Sequence, residues 1–313
     1  MSKRTSRTGG ETGSRPKPHS RKSPKPSKPG FWERQIERLD TSRKVATFYI
    51  VLWSLAALCL VRQIMTAHYE NFFACLVALV LLNVPRLVER SFHIDIPPVF
   101  EAIIYAFIFA AQILGEVDHF YVSLPFWDTI LHTINGFLAC AVGFSMAYLL
   151  NSSNHPVKLS AGYMALTSFC FAMTVGACWE IIEFVGDSFF GQDMQKDFLV
   201  NSINSVALDP TQSQQLVNVN DIISTTIHTA NGNITVNGGY LDIGRLDTMK
   251  DMIVNLIGAL AFMVFGYIYV KNKGSKGFAK RLVESLMLRP AKAGSAKQAE
   301  VSEETMDLAE DDG

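Results

Sequence analysis

Charged side chains are scarce in this chain. They make up 18% of its 313 residues, where an average soluble domain carries about 25%. The two ends hold most of them, and the middle is left with long apolar runs. That distribution excludes a wholly soluble globular protein and a mostly disordered one. Cysteine is scarce too. Cys59, Cys75, Cys140, Cys170 and Cys178 all stand in apolar runs, with no paired spacing and no CxxC, which excludes a disulfide scaffold. No GxSxG, HExxH or paired HxxxH pattern occurs, so no known hydrolase signature is present. Net charge is −1 and says nothing of partners until it is divided by region.

Residues 1–30 have no large apolar side chain after Met1 and are rich in Lys, Arg, Ser, Pro and Gly. Such a segment buries too little apolar area to offset its ordering entropy, which predicts a disordered basic tail. It lacks the apolar core and cleavage site of a secretory signal. Through Lys44 the chain has thirteen Lys and Arg against four acids. A net +9 just before the first apolar run reads as a topology-setting cytoplasmic tail. Contact with anionic lipid headgroups is a second use of the same charge, and nucleic acid is the less favoured partner. Residues 31–44 open with FWERQIERL, which predicts an amphipathic interfacial helix with Phe31, Trp32 and Ile36 toward the membrane. Residues 271–313 read as a second cytoplasmic tail, acidic at its end from Glu300 to Asp312.

Between the tails, residues 45–270 hold six runs long enough, or nearly so, to cross a bilayer. They are Val45–Ile64, Asn71–Leu87, Pro97–Leu114, Trp127–Leu150, Leu159–Val185 and Met249–Val270. The fold class is therefore all-α, a polytopic membrane helix bundle of about six transmembrane helices. Pro85 predicts a tilt or kink in the second span, no span is visibly broken, and no inverted repeat is apparent. The connections that alternate with the basic ends are poor in Lys and Arg, so both termini are expected in the cytoplasm of a plasma-membrane protein. The fifth connection, about 187–248, is an external polar insertion. Within it Ile222–His228 and Asn233–Val236 flank Asn231-Gly232, a hairpin pattern. Asn233-Ile234-Thr235 matches the short glycosylation sequon.

Charged groups inside spans are costly and tend to mark function. Asp128 and His132 are four apart on span four, Glu180 and Glu183 three apart on span five, and Asp247, Asp251 and Asn255 four apart on span six. Each set shares a helix face. With the orientation above, all lie near the outer surface, and span three adds Glu116, Asp118 and His119 at that level. Small residues let the helices approach: Ala139, Gly143 and Ala147 on span four, Ala172 and Gly176 on span five, Gly258 on span six. Helix capping accounts for Asp128 and Asp251 just as well as a site does. It does not account for Glu180 and Glu183, since acids toward a helix C-terminus oppose the dipole. Trp53, Trp127, Trp179 and Tyr121 read as interfacial belt or packing residues.

Four carboxylates in a half-buried pocket cannot all stay ionised without partners. Protons resolve this, as does a divalent cation such as Mg, Mn, Ca or Zn held by Asp128, His132, Glu180, Glu183 and Asp251. The cations at the mouth, Arg245 and Lys250, offer a third resolution with a zwitterionic or phosphorylated ligand. The candidate chemistry has Glu180 or Glu183 as general base, His132 as its acid/base partner, Asp128 and Asp251 as metal or proton partners, and Asn255 beside them.

The motifs FWDTILHTINGF, CWEIIEFVGDSFFGQDMQ and LDTMKDMIVNLIGAL, in order on three spans, resemble the YjdF-like family of uncharacterised bacterial inner-membrane proteins over about Val45 to Val270. More loosely, the chain is similar to the VanZ-like family at Asp128, His132, Glu180, Glu183, Asp251, Asn255 and Gly258. It departs from that pattern at Thr129, where Lys is usual, and at Glu183, where Gln is usual. The resemblance implies the architecture and a place in the cell envelope, and it supplies no substrate. Three functions follow as expectations: an acid/His pocket that binds or acts on an envelope lipid or precursor, a small ion- or proton-coupled carrier, or a non-catalytic membrane protein that recruits partners.

Overall fold

A computed structural model describes residues 31–66, 69–152, 158–274 and 277–290. The basic tail 1–30 and the acidic end of the C-terminal tail lie outside the described residues. From Phe31 the chain is helical.

Helix α1 runs Phe31–Thr66, and its membrane-crossing part is Ser42–Thr66. The second span, Asn71–Phe92, is two helices, α2 (Tyr69–Leu81) and α3 (Val84–Phe92). The chain turns between them at Leu82 and Asn83, just ahead of Pro85. The kink expected there is a break, which corrects the reading of six unbroken spans. Proline lacks the N–H that would continue the ladder. The Asn83 side chain caps the exposed end instead, donating to Leu79 O at 2.7 Å and accepting from Tyr49 Oη at 3.0 Å.

A short strand, β1 (Ile94–Asp95), leads to α4 (Pro98–Phe109), which passes directly into a π-helical segment, Ala110–Val117. Together they form the third span, Pro98–Val117. A single turn, α5 (Phe120–Ser123), precedes the long helices α6 (Trp127–Ser152) and α7 (Ala161–Phe190).

The insertion, residues 191–244, is three antiparallel pairs. β2 (Phe198–Val200) pairs with β7 (Tyr240–Asp242), β3 (Ile203–Ser205) with β4 (Val217–Val219), and β5 (Ser224–Thr229) with β6 (Gly232–Asn237). The last pair is the expected hairpin, closed at Ala230-Asn231, with Gly232 at a φ of 131° that L side chains rarely adopt. Helix α8 (Arg245–Lys271) is the sixth span.

The chain does not trail away after α8. Helix α9 (Phe278–Leu286) and strand β8 (Arg289–Pro290) fold back, and β8 pairs antiparallel with β1. Val283, Leu286 and Leu288 are buried in the same cluster as Phe144, Phe262 and Tyr269. The expected tail from residue 271 is therefore corrected: as far as Pro290 it is part of the fold, because α9 has one apolar face that must be covered.

All six spans carry large apolar side chains on their exposed faces, Leu58, Phe73, Ile181 and Ile253 among them. Such faces are stable only in lipid, where a helix satisfies its own backbone polar groups. The protein is a multi-pass membrane protein. Two apolar clusters hold it together. One joins α6, α7, α8 and α9. The other joins α1, α2, α4 and the π segment through Tyr49, Ala56, Cys75 and Tyr105. In the first, α6 and α8 meet backbone to backbone: a Cβ at Gly136 would strike Asn255 O, and one at Gly258 would strike Thr133 O.

Candidate functional site

Close packing of α6, α7 and α8 brings their polar faces together at one end of the bundle. The first turns of α6 and α8 meet α7 about two turns before its C-terminus, since α7 continues to Phe190 beyond the expected end at Val185. Glu180 and Glu183 are therefore interior to the helix and not at its terminus.

His132 stands at the centre. Its Nε2 is 3.4 Å from Asp128 Oδ1, and its Nδ1 is 3.7 Å from Glu180 Oε1. One ligand atom each from Asp128, His132 and Asp251 lie within 4.8 Å of one another. Asp251 is 1% exposed and Glu180 6%. Asp251 Oδ1 and Glu180 Oε2 are buried with no hydrogen-bond partner among the described residues. Lys250 reaches Asp128 Oδ2 at 3.6 Å and Asp247 Oδ1 at 3.8 Å, so a side chain expected at the mouth belongs to the cluster.

Two of the expected site residues are otherwise engaged. Glu183 accepts from Trp179 Nε1 at 2.8 Å. The Asn255 amide ties three helices: its Oδ1 accepts from Asn135 Nδ2 at 3.2 Å, and its Nδ2 donates to Ala172 O at 3.4 Å. Gly176 leaves room for that amide. From span three, Asp118 and His119 are exposed on the turn after the π segment. Among the described residues no ion pair links Glu116, Asp118 or His119 to the cluster.

The insertion is pinned across this end of the bundle. Asp187 accepts from Met194 N at 2.6 Å and Gln195 N at 2.8 Å, and Asp247 accepts from Lys196 N at 2.8 Å. Gln195 Nε2 donates to Thr248 Oγ1 at 2.5 Å. Asp187 lies within CWEIIEFVGDSFFGQDMQ, and its partners are seven and eight residues on across a turn no periodicity reveals. Asp242, which accepts from Leu246 N at 2.8 Å and pairs with Arg245 Nε at 2.9 Å, secures the other strand of the insertion.

Beside the cluster lies an apolar cavity of about 350 Å³. Leu81, Phe107 and Gln112 form one wall, Leu131, Asn135 and Trp179 the other, and His132 and Tyr121 also line it. Burial, with the charges of Glu116 and Asp128 adding, pushes the Tyr121 phenol well above its ordinary range. It stays a neutral donor on the wall. The volume falls at the lower end of roughly 300–1,000 Å³ typical of small-molecule pockets. His132 is common to the acid cluster and this cavity.

The chain belongs to the family described as Predicted membrane protein (DUF2238), which it matches over residues 47–272. This is consistent with the YjdF-like resemblance, and the looser VanZ-like one finds no support. No curated protein and no solved structure matches the chain.

Proposed function

We propose that the protein binds a membrane lipid or envelope precursor, with the ligand's polar head at the acid/His cluster and its apolar chain in the adjoining cavity. The observation that carries this reading is that one side chain, His132, faces both compartments. An apolar wall ending on a few convergent polar groups is the usual form of a ligand site. His132 between two carboxylates also holds the components of general acid–base chemistry at the head of such a ligand. The basic N-terminal segment and the Lys- and Arg-poor connections support cytoplasmic termini, and with them a site at the outer face of the plasma membrane.

The test is native mass spectrometry of the full chain purified in mild detergent. A retained lipid that survives delipidating washes is expected. Ala111→Phe, which fills the cavity from the π segment, should abolish it, and His132→Ala should change which headgroups are retained. Retention equal in Ala111→Phe and the parent protein sinks the reading.

A second reading, an ion- or proton-coupled carrier, is favoured by one observation. The helix break at Leu82–Asn83 and the π segment at Ala110–Val117 both belong to the spans that wall the cavity. Broken and π-helical spans recur where substrates cross membranes. Proteoliposome flux lost in Glu180→Gln would favour it over lipid binding.

A further inference from the structure

The geometry points to a divalent-cation site formed by Asp128, His132 and Asp251, with Glu180 facing the imidazole from its far side. Asp128, Glu180, Glu183, Asp247 and Asp251 stand at this end of the bundle, and Lys250 reaches Asp128 and Asp247. Among the described residues, Asp251 and Glu180 have no cation within ion-pair distance other than the imidazole that Glu180 faces. Each keeps a buried carboxylate oxygen without a hydrogen-bond partner. Uncompensated buried carboxylates are expensive unless they are protonated or coordinate an ion.

Spacing is the second observation. The three donor atoms within 4.8 Å of one another come from α6 and α8, the two helices held backbone to backbone by Gly136 and Gly258. His132 Nε2 and Asp128 Oδ1 are 3.4 Å apart, too far for a good hydrogen bond. Tetrahedral bonds of about 2.0–2.2 Å separate neighbouring ligands by about 3.3–3.6 Å. The third observation is that Glu180 faces the other ring nitrogen, with Oε1 3.7 Å from Nδ1, near it but beyond hydrogen-bond distance. A ligating histidine usually presents its second nitrogen to a carboxylate, which sets the tautomer and raises the basicity of the first. Glu180 is the carboxylate placed to take that positioning role once the imidazole turns toward it by a few tenths of an ångström, and Glu183, engaged by Trp179, is outside the set.

One imidazole with two carboxylates suits Zn²⁺ or Mn²⁺ better than Ca²⁺ or Mg²⁺. Three protein ligands leave a position open. Where the lipid reading holds, that open position turns an acid-lined pocket, which would repel an anionic head, into one that accepts a phosphate oxygen. To that extent the inference rests on the proposed function.

The test strips the full chain in detergent with chelator and reloads it at neutral pH with Zn²⁺ or Mn²⁺ alone. Bound metal is read by elemental analysis and by titration. About one equivalent per chain is expected. Asp251→Asn and His132→Gln should each weaken binding about 100-fold, Glu180→Gln about 10- to 100-fold, and Glu183→Gln less than about twofold. Melting of the stripped variants checks that they are folded. Less than about a tenth of an equivalent of either ion overturns the site, as does parental affinity in a folded Asp251→Asn. Lipid is measured on the same samples. Lipid retained without metal sinks the cation site and leaves the lipid reading standing. Metal bound without lipid supports the site and sinks that reading.

Discussion

The two ends of the α6–α7–α8 bundle are built to opposite rules. At one, Phe144, Phe262 and Tyr269 pack edge to face, with Phe144–Phe262 centroids 6.0 Å apart, and α9 closes the end. A buried polar group there, Ser145, is doubly partnered: the hydroxyl donates to Ala141 O at 2.7 Å and accepts from Leu288 N at 3.1 Å. At the other end, buried carboxylates outnumber cations, and two of their oxygens have no partner. The same three helices supply both ends, so the difference lies in the side chains and not in the scaffold. A satisfied end contributes stability. An end that leaves buried acids uncompensated costs stability and persists where it has a ligand to hold.

The sharpest way to break the contrast is to part the helices that carry both ends. Gly258→Leu places a side chain where α8 meets the α6 backbone at Thr133. Backbone cannot yield as a side-chain tip can. The variant should fail to give a monodisperse detergent-solubilised protein in size-exclusion chromatography, whereas Gly162→Leu, with open space around it, should elute as the parent does. A folded Gly258→Leu would show that the close approach is dispensable.

Leu286→Ala tests the closed end alone. Leu286 is buried against the aromatic cluster, and removing a buried leucine side chain costs about 2–5 kcal/mol. Because α9 is a terminal element, the loss should appear as release of the segment after Gly277. Limited proteolysis should cut there several times faster, with lipid and metal binding at the far end unchanged. Loss of metal together with that cleavage would mean the ends are coupled.

Much of this was legible in the sequence, and the limits are physical. Six spans follow from run length, and their observed bounds differ from expectation by a few residues, because one turn of fraying is invisible to composition. Asp128, His132 and Asp251 were legible because four-residue spacing fixes a shared helix face and shared depth brings faces together. The division of labour among the acids was not. Trp179 and Glu183 are four apart on one helix, a spacing the sequence does record, but which acid turns toward His132 is decided by helix rotation, which no single helix records. The return of α9 onto Ser145 and the pinning of Lys196 to Asp247 are long-range backbone contacts without any periodic signal. The break at Leu82–Asn83 was half legible. Pro85 marked the place, while the Tyr49–Asn83 bond that stabilises the broken end comes from another helix.

A smaller effect compares the two ends directly, by the sign of a single substitution. Ser145→Ala leaves the Leu288 N–H buried without an acceptor and should destabilise by about 1–2 kcal/mol. Asp251→Asn removes a buried charge whose Oδ1 has no hydrogen-bond partner and should leave the metal-free protein as stable or more so. Chelator-treated samples, melted side by side at neutral pH, give the comparison. Equal losses in both variants would mean that Asp251 is already satisfied and that the contrast between the ends is false.

The smallest effect uses a carboxylate in the insertion as the reference for what full satisfaction looks like. Asp209 is buried and accepts from Thr211 N, Thr211 Oγ1, Ser213 N, Ser213 Oγ and Gln215 N at 2.6 to 3.2 Å. Those donors, the Thr211 hydroxyl foremost, hold its carboxyl well below the ordinary carboxylate range. A group depressed in the folded state contributes stability that is complete above the unfolded value, about 3.9, and is lost as pH falls through the folded one. The 209–215 loop should therefore keep its amide protection at mildly acid pH and loosen only in strong acid. Asp209→Asn should reproduce the loosening at neutral pH. Hydrogen exchange on the amides of Thr211, Ser213 and Gln215 reads it locally. Since the loop closes on itself, the metal and lipid readouts at the bundle end should not follow. If protection is already lost near pH 5, five donors do not satisfy this carboxylate, and orphaned oxygens at Glu180 and Asp251 cease to be a distinguishing mark.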